Sequence, residues 1–205
     1  MIRTQSRTRH TLGRADILPL EEYAKLRSQR RREIAELKRR RQIAVGPFAT
    51  FYFENFDTMW SQVQEMLYIE KGGEQQLADE LAAYNPLIPQ GSELVATVMF
   101  EIDNPQRRAR LLMQLGGIET CAFIEVRTET GVAPIRGEPD PTRENTSSDG
   151  KASAVQFIRF PFTAAEIAAF KASGARILVG FDHPNYAHMA AIPEPVRTAL
   201  TADFD

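Results

Sequence analysis

Apolar runs of strand length recur along this chain, and no regular series of long helices separates one from the next. A parallel sheet needs a crossover of a dozen or more residues between strands, whereas an antiparallel sheet closes with short turns. Strand-like runs at 48–54, 94–102, 118–126, 154–160 and 176–181 are interspersed with helical segments at 59–71, 74–83, 105–115, 164–172 and 193–202. That order predicts an α+β fold with a mostly antiparallel sheet. The length of 205 residues suffices for one full hydrophobic core. Glycines and prolines punctuate the runs: Gly46-Pro47 as a turn, Gly72-Gly73 and Gly116-Gly117 as helix stops.

Charge is distributed unevenly. The net charge is −2, but residues 1–41 hold 13 Lys+Arg against 5 Asp+Glu, which leaves 12 basic and 22 acidic residues in the remainder. Within the basic part, Leu18-Pro19-Leu20-Glu21-Glu22 reads as a helix start, with proline and acids in the first turn. The helix is expected to run to about residue 42, with Leu20, Tyr23, Leu26, Ile34 and Leu37 on one stripe and Lys38–Arg41 in the last turn. Residues 1–14 read as a flexible basic tail. Residues 15–205 read as one domain, with an irregular loop at about 128–152 where Gly, Pro, Ser, Thr and charge dominate.

Several classes are disfavoured by what the sequence lacks. Cys121 is the single cysteine, so an intrachain disulfide and multi-cysteine zinc or iron–sulfur sites are ruled out. It lies in an apolar run, reads as a small buried hydrophobe, and fits a reducing cytoplasm. No run reaches the length needed to span a bilayer, and no secretory h-region is present. No glycine-rich dinucleotide fingerprint, Walker loop or Gly-x-Ser-x-Gly elbow occurs, so no nucleotide cofactor is expected.

Where histidine is scarce, Asp182-His183-Pro184-Asn185-Tyr186-Ala187-His188 holds two of the three. Pro184 and Asn185 make this a turn rather than a helical pair. Neutral imidazoles suit iron or zinc, and a carboxylate would complete a two-His-one-carboxylate site. Candidate carboxylates are Asp182, Glu54 at the end of an aromatic strand, and Glu70. Glu70 falls in the middle of the apolar face of helix 59–71, while Glu65 falls towards solvent. A carboxylate on a buried stripe needs a partner. The competing reading is a structural turn whose histidines bond backbone carbonyls, with the acids paired or solvated; both readings stand at this point.

The basic segment offers a different role. Arg30-Arg31-Arg32 and Lys38–Arg41 could contact phosphates, but no recognisable nucleic-acid motif accompanies them. Docking on the protein's own acidic body or on an acidic partner is the preferred expectation.

Six segments resemble one bacterial family, the domain of unknown function 3501. They are Arg14-Ala-Asp-Ile-Leu-Pro-Leu-Glu-Glu-Tyr23, Phe51-Tyr-Phe-Glu54, Gln64-Glu-Met66, Ile69-Glu-Lys-Gly-Gly73, Asp79-Glu-Leu-Ala-Ala-Tyr-Asn-Pro-Leu-Ile-Pro89 and His183-Pro-Asn-Tyr-Ala-His188. The resemblance covers nearly the whole chain after the first dozen residues. It implies a cytoplasmic bacterial protein without an assigned activity, from a family often encoded beside rubrerythrin-like and iron–sulfur proteins. It therefore points to iron or oxidative-stress biology and assigns no catalytic residue. The leading expectation is a divalent-metal protein, with iron or zinc held by His183 and His188 together with Glu70, Glu54 or Asp182. The alternatives are a non-enzymatic module that docks a redox protein through the basic helix, and polyanion binding. Whether the protein is an enzyme, and its oligomeric state, stay open.

Overall fold

Gly46 and Pro47 fold β1 (Gln42–Val45) back on β2 (Ala49–Phe53). Gly46 takes φ +67°, and a Cβ there would stand 2.7 Å from the His188 ring and 2.8 Å from the Tyr186 hydroxyl. Only glycine fits both the backbone and the space. The computed structural model describes residues 9–128 and 131–205.

β2 pairs with β3 (Glu93–Phe100), which pairs with β7 (Val155–Pro161), which pairs with the short β6 (Glu138–Pro139). This five-stranded sheet has the order β1-β2-β3-β7-β6. A four-stranded sheet has the order β5-β4-β8-β9, built from β4 (Ala122–Thr128), β5 (Gly131–Arg136), β8 (Arg176–His183) and β9 (Tyr186–Ala191). Every strand pair is antiparallel. The expected α+β class and antiparallel pairing are therefore present, as two sheets rather than one.

Side-chain alternation along β2 and β3 sends Phe51, Phe53, Leu94, Ala96, Val98 and Phe100 into the shared core, where they meet Ile124, Val179 and Phe181 of the second sheet. The rings of Phe51 and Phe181 lie 5.0 Å apart. The opposite face of β3 turns Val95 to a second apolar cluster with Met59, Val63 and Leu67 of α2 (Phe56–Glu70) and Leu77 of α3 (Gly73–Tyr84). Asn55 caps α2 by accepting from the Thr58 amide at 3.0 Å while Thr58 Oγ1 accepts from the Asn55 amide at 2.9 Å, so this helix begins ahead of the expected Asp57-Thr58 cap. Short helices α4 (Pro105–Met113), α5 (Ala164–Lys171) and α6 (Glu194–Thr201) close the sheet connections.

The basic helix α1 (Leu20–Arg39) lies on the far side of α2. Its start is fixed by Gln64, fully buried, which accepts from the Leu18 amide at 2.9 Å and donates to the Leu18 carbonyl at 3.2 Å. Of the expected apolar stripe only Tyr23 is buried; Leu20 is 38% exposed.

Three expectations change. Residues 9–14 of the expected tail are packed: Leu12 is 1% exposed and its amide donates to Asn85 Oδ1 at 2.7 Å. The rest of that tail, residues 1–8, lies outside the described residues. The expected irregular loop contains β5 and β6. Pro134 disguises β5 because it cannot donate, yet it sits on an outer strand where no second ladder needs its N–H. Residues 129–130 of that loop also lie outside the described residues. Finally, the histidine segment is a two-residue turn that continues into β9, a strand the reading missed.

Candidate functional site

The two C-terminal histidines belong to the β8–β9 hairpin, where His183 faces Tyr186 and Phe181 faces His188 across the ladder. Opposed residues share a face, so His183, Tyr186, Phe181 and His188 lie on one side, and Asp182, opposite Ala187, lies on the other. His183 is 8% exposed. Its Nδ1 accepts from the Asn185 amide at 3.1 Å, and its Nε2–H donates to the Gly116 carbonyl at 3.3 Å. That pattern engages both ring nitrogens in local hydrogen bonds. Asn185 Nδ2 adds a bond to the Gln114 carbonyl at 2.8 Å. The hairpin tip is thereby docked on the end of α4.

His188 is exposed and sets its ring edge-on to Tyr186 at 4.6 Å. Tyr186 is buried; its hydroxyl donates to the Val45 carbonyl at 2.8 Å and accepts from the Phe48 and Ala49 amides at 3.2 and 3.0 Å. Its oxygen is saturated by the β1–β2 turn. Burial, only partly offset by these amide bonds, raises its hydroxyl above the ordinary tyrosine range.

The three carboxylates do not join the histidines. Asp182 pairs with Arg136 at 2.6 Å. Glu54, 5% exposed rather than a solvated edge acid, accepts from Thr97 Oγ1 at 2.6 Å. Glu70 is exposed at the end of α2 and accepts from Gln76 Nε2 at 3.0 Å. Among the described residues no group of three or more His, Cys, Asp or Glu could hold a metal ion. The expected set of His183, His188, Glu70, Glu54 and Asp182 is therefore not assembled. The physical reason is that His183, Asp182, Glu54 and Glu70 are each engaged by a different local partner, in a turn, an ion pair or a hydrogen bond, while the exposed His188 ring packs on Tyr186.

The acid expected in solvent is the one the fold uses. Glu65 of α2 accepts from the Tyr23 hydroxyl at 2.5 Å and from Arg27 at 2.8 and 3.0 Å. The Arg27 guanidinium, helped by the Tyr23 hydroxyl, holds the Glu65 carboxyl below its ordinary range. Arg27 also lies 4.6 Å over the Tyr68 ring.

The basic arm is largely neutralised by such contacts. Arg9 pairs with Asp16, Arg14 with Glu74, Arg27 with Glu65, Arg30 with Glu33, Arg39 and Arg40 with Glu36, and Arg41 with Asp203. Arg41, expected as an exposed member of a cationic run, is 2% exposed and also donates to the Phe53, Glu54 and Ala199 carbonyls. Of the arginines between residues 9 and 41, only Arg31 and Arg32 have no carboxylate partner among the described residues. Both line a groove of about 520 Å³ with Ala24, Arg27, Ser28, Ala35 and Tyr68. The sequence reading singled out Arg31 and Arg32 but missed Arg27, Tyr68 and the small residues. The signal was present: 24, 28, 31 and 35 follow the i, i+4, i+7, i+11 spacing of one helix face.

The architecture defines an α+β protein of two facing antiparallel sheets, with a helical layer that presents a cationic surface groove. The chain belongs to the family described as "Protein of unknown function (DUF3501)", whose model matches residues 11–204. It is similar to the crystal structure, at 1.90 Å resolution, of a novel protein of unknown function from Burkholderia pseudomallei K96243. The identity is 38%, the match covers 95% of this chain and 100% of that chain, and the TM-score is 0.86. No functionally curated protein is similar at a significant level. Among the described residues no helix is long and apolar enough to cross a membrane.

Proposed function

We propose that this protein is a non-enzymatic docking module whose α1 face receives an acidic amphipathic helix from a partner protein. The observation that carries the reading is the pair Arg31 and Arg32, which among the described residues make no salt bridge while the other described arginines between residues 9 and 41 do, at the rim of a groove. Two guanidiniums side by side attract carboxylates and steer encounter. Ala24, Ser28 and Ala35 leave room between them for a second helix to approach to roughly 8–10 Å, the usual interaxial distance. Tyr68 supplies an aromatic wall with a polar tip, a residue type enriched at interfaces.

A second copy of this chain fits the groove poorly, because the same arginines would face each other. Nucleic acid is disfavoured too: two guanidiniums without a salt bridge make a short track for a phosphate backbone. A metal-centred redox role has no grouping of side chains behind it among the described residues. The iron or oxidative-stress setting implied by the family resemblance bears on which proteins to try as partners, not on chemistry in this chain.

The test is titration of a synthetic helical peptide, with two glutamate rows flanking an Ala/Leu stripe, against the whole protein. A scrambled peptide of the same composition and a single-stranded oligonucleotide serve as competitors. Salt-sensitive binding that prefers the helical order, and weakens roughly tenfold or more in Arg31→Glu/Arg32→Glu, supports the proposal. Equal binding of scrambled peptide, tighter binding of the oligonucleotide, or no loss in the variant overturns it.

A further inference from the structure

His10 sits between two elements distant in sequence. Its Nδ1 is 2.7 Å from the Pro89 carbonyl oxygen and its Nε2 is 2.7 Å from Asp205 Oδ2. A carbonyl oxygen can only accept, and so can an ionised carboxylate. Each ring nitrogen must then carry a hydrogen, and a neutral imidazole has only one. We propose that His10 is a proton-dependent clasp that, as an imidazolium, ties the N-terminal arm to the loop at Pro89 and to Asp205 together, and on deprotonation must let one of them go.

The surroundings support the charged form. The Asp205 amide donates to the Gly91 carbonyl at 3.1 Å, so the same loop that receives His10 also receives the residues after α6. Gln90 Nε2 donates to the His10 carbonyl at 2.8 Å, closing the junction from the other side. Besides Asp205, the acid that acts on the ring is Glu93 of β3, whose charge is partly offset by Arg159 of β7 at 2.9 Å. On the C-terminal segment, Lys171 of α5 bonds the Phe204 carbonyl at 3.2 Å. Arg9, the neighbouring cation, is turned to Asp16 and to the Phe56 ring.

The balance raises His10 above its ordinary value of 6.5: the bond to Pro89 acts most, burial opposes it, and Asp205 adds to it. A group raised in the folded state contributes fully below its unfolded value and loses that contribution as pH rises through the folded one. The clasp is therefore closed below about pH 6.5 and opens on the alkaline side of it. Leu12, buried and bonded to Asn85 in both directions, stays anchored, so opening loosens the junction at His10 without unfolding the domain. This inference is independent of the docking reading.

NMR titration of the three histidines in the whole wild-type protein tests it directly, with amide exchange of residues 10–13 and 205 followed across the same pH range. The expected result is a His10 midpoint above 6.5, two protonated ring nitrogens below it, and a step in exchange of the His10 and Asp205 amides at that midpoint. Asp205→Asn should move the midpoint down, and His10→Gln should remove the step. A His10 midpoint at or below 6.5, or exchange that passes through the midpoint without a step, overturns the clasp.

Discussion

Arg41 and Asp203, 162 residues apart, form an ion pair whose side chains are 3% and 4% exposed. It joins the start of the first sheet to the segment after α6 at the edge of the core. Removing one partner of a buried pair strands the other charge and costs about 3–5 kcal/mol, whereas replacing both with apolar groups is often neutral. Asp203→Ala is therefore expected to lower unfolding free energy by about that amount in denaturant titration. An Arg41→Met/Asp203→Leu double variant should recover much of the loss, because no charge is left unpaired.

Tyr186 secures the β1–β2 turn through one donated and two accepted bonds. Tyr186→Phe should cost about 1–3 kcal/mol, since the Val45 carbonyl and two amides lose their partner. Gly46→Ala should be at least as damaging, because the left-handed backbone and the His188 ring both oppose a Cβ. Thermal unfolding of the two variants checks both expectations.

Glu65 provides a pH-dependent contact between α1 and α2. Its carboxyl is depressed in the folded state, so its contribution is present above about pH 4.5 and is lost as pH falls through the folded value. The pair is partly solvated, at 29% and 21% exposure, which keeps the contribution to about 1 kcal/mol or less. Glu65→Gln should flatten the acid limb of stability against pH while changing stability little at pH 7.

How much of this was legible in the sequence depends on how local the signal is. β3, β7 and α5 were readable because their own apolar order and the Thr163 cap specify them. β9 was not: His188 and Met189 are exposed, and an edge strand leaves little alternation to read. A helical wheel placed Met59, Val63 and Leu67 on a buried face of α2, but it could not show that α1 covers Glu65 from the other side or that Glu70 lies exposed at the helix end. The cationic character of the arm was plain, whereas which arginines the fold consumes required the positions of Glu74, Glu65 and Asp203.

The histidine hairpin should behave as structure rather than as a metal centre. Elemental analysis of untagged protein is expected to give no stoichiometric iron or zinc, and His183→Ala/His188→Ala should leave metal content unchanged. Loss of the His183 bonds to Gly116 and Asn185 should cost about 1–3 kcal/mol instead.

The central claim is that the α1 face is a docking surface for an acidic helix, and mapping amide shifts on adding the helical peptide to the whole protein tests it most directly. The account predicts perturbations concentrated at Ala24, Arg27, Ser28, Arg31, Arg32, Ala35 and Tyr68 that disappear in Arg31→Glu/Arg32→Glu. Shifts centred on the His183–His188 hairpin, or scattered evenly over the surface, would contradict it.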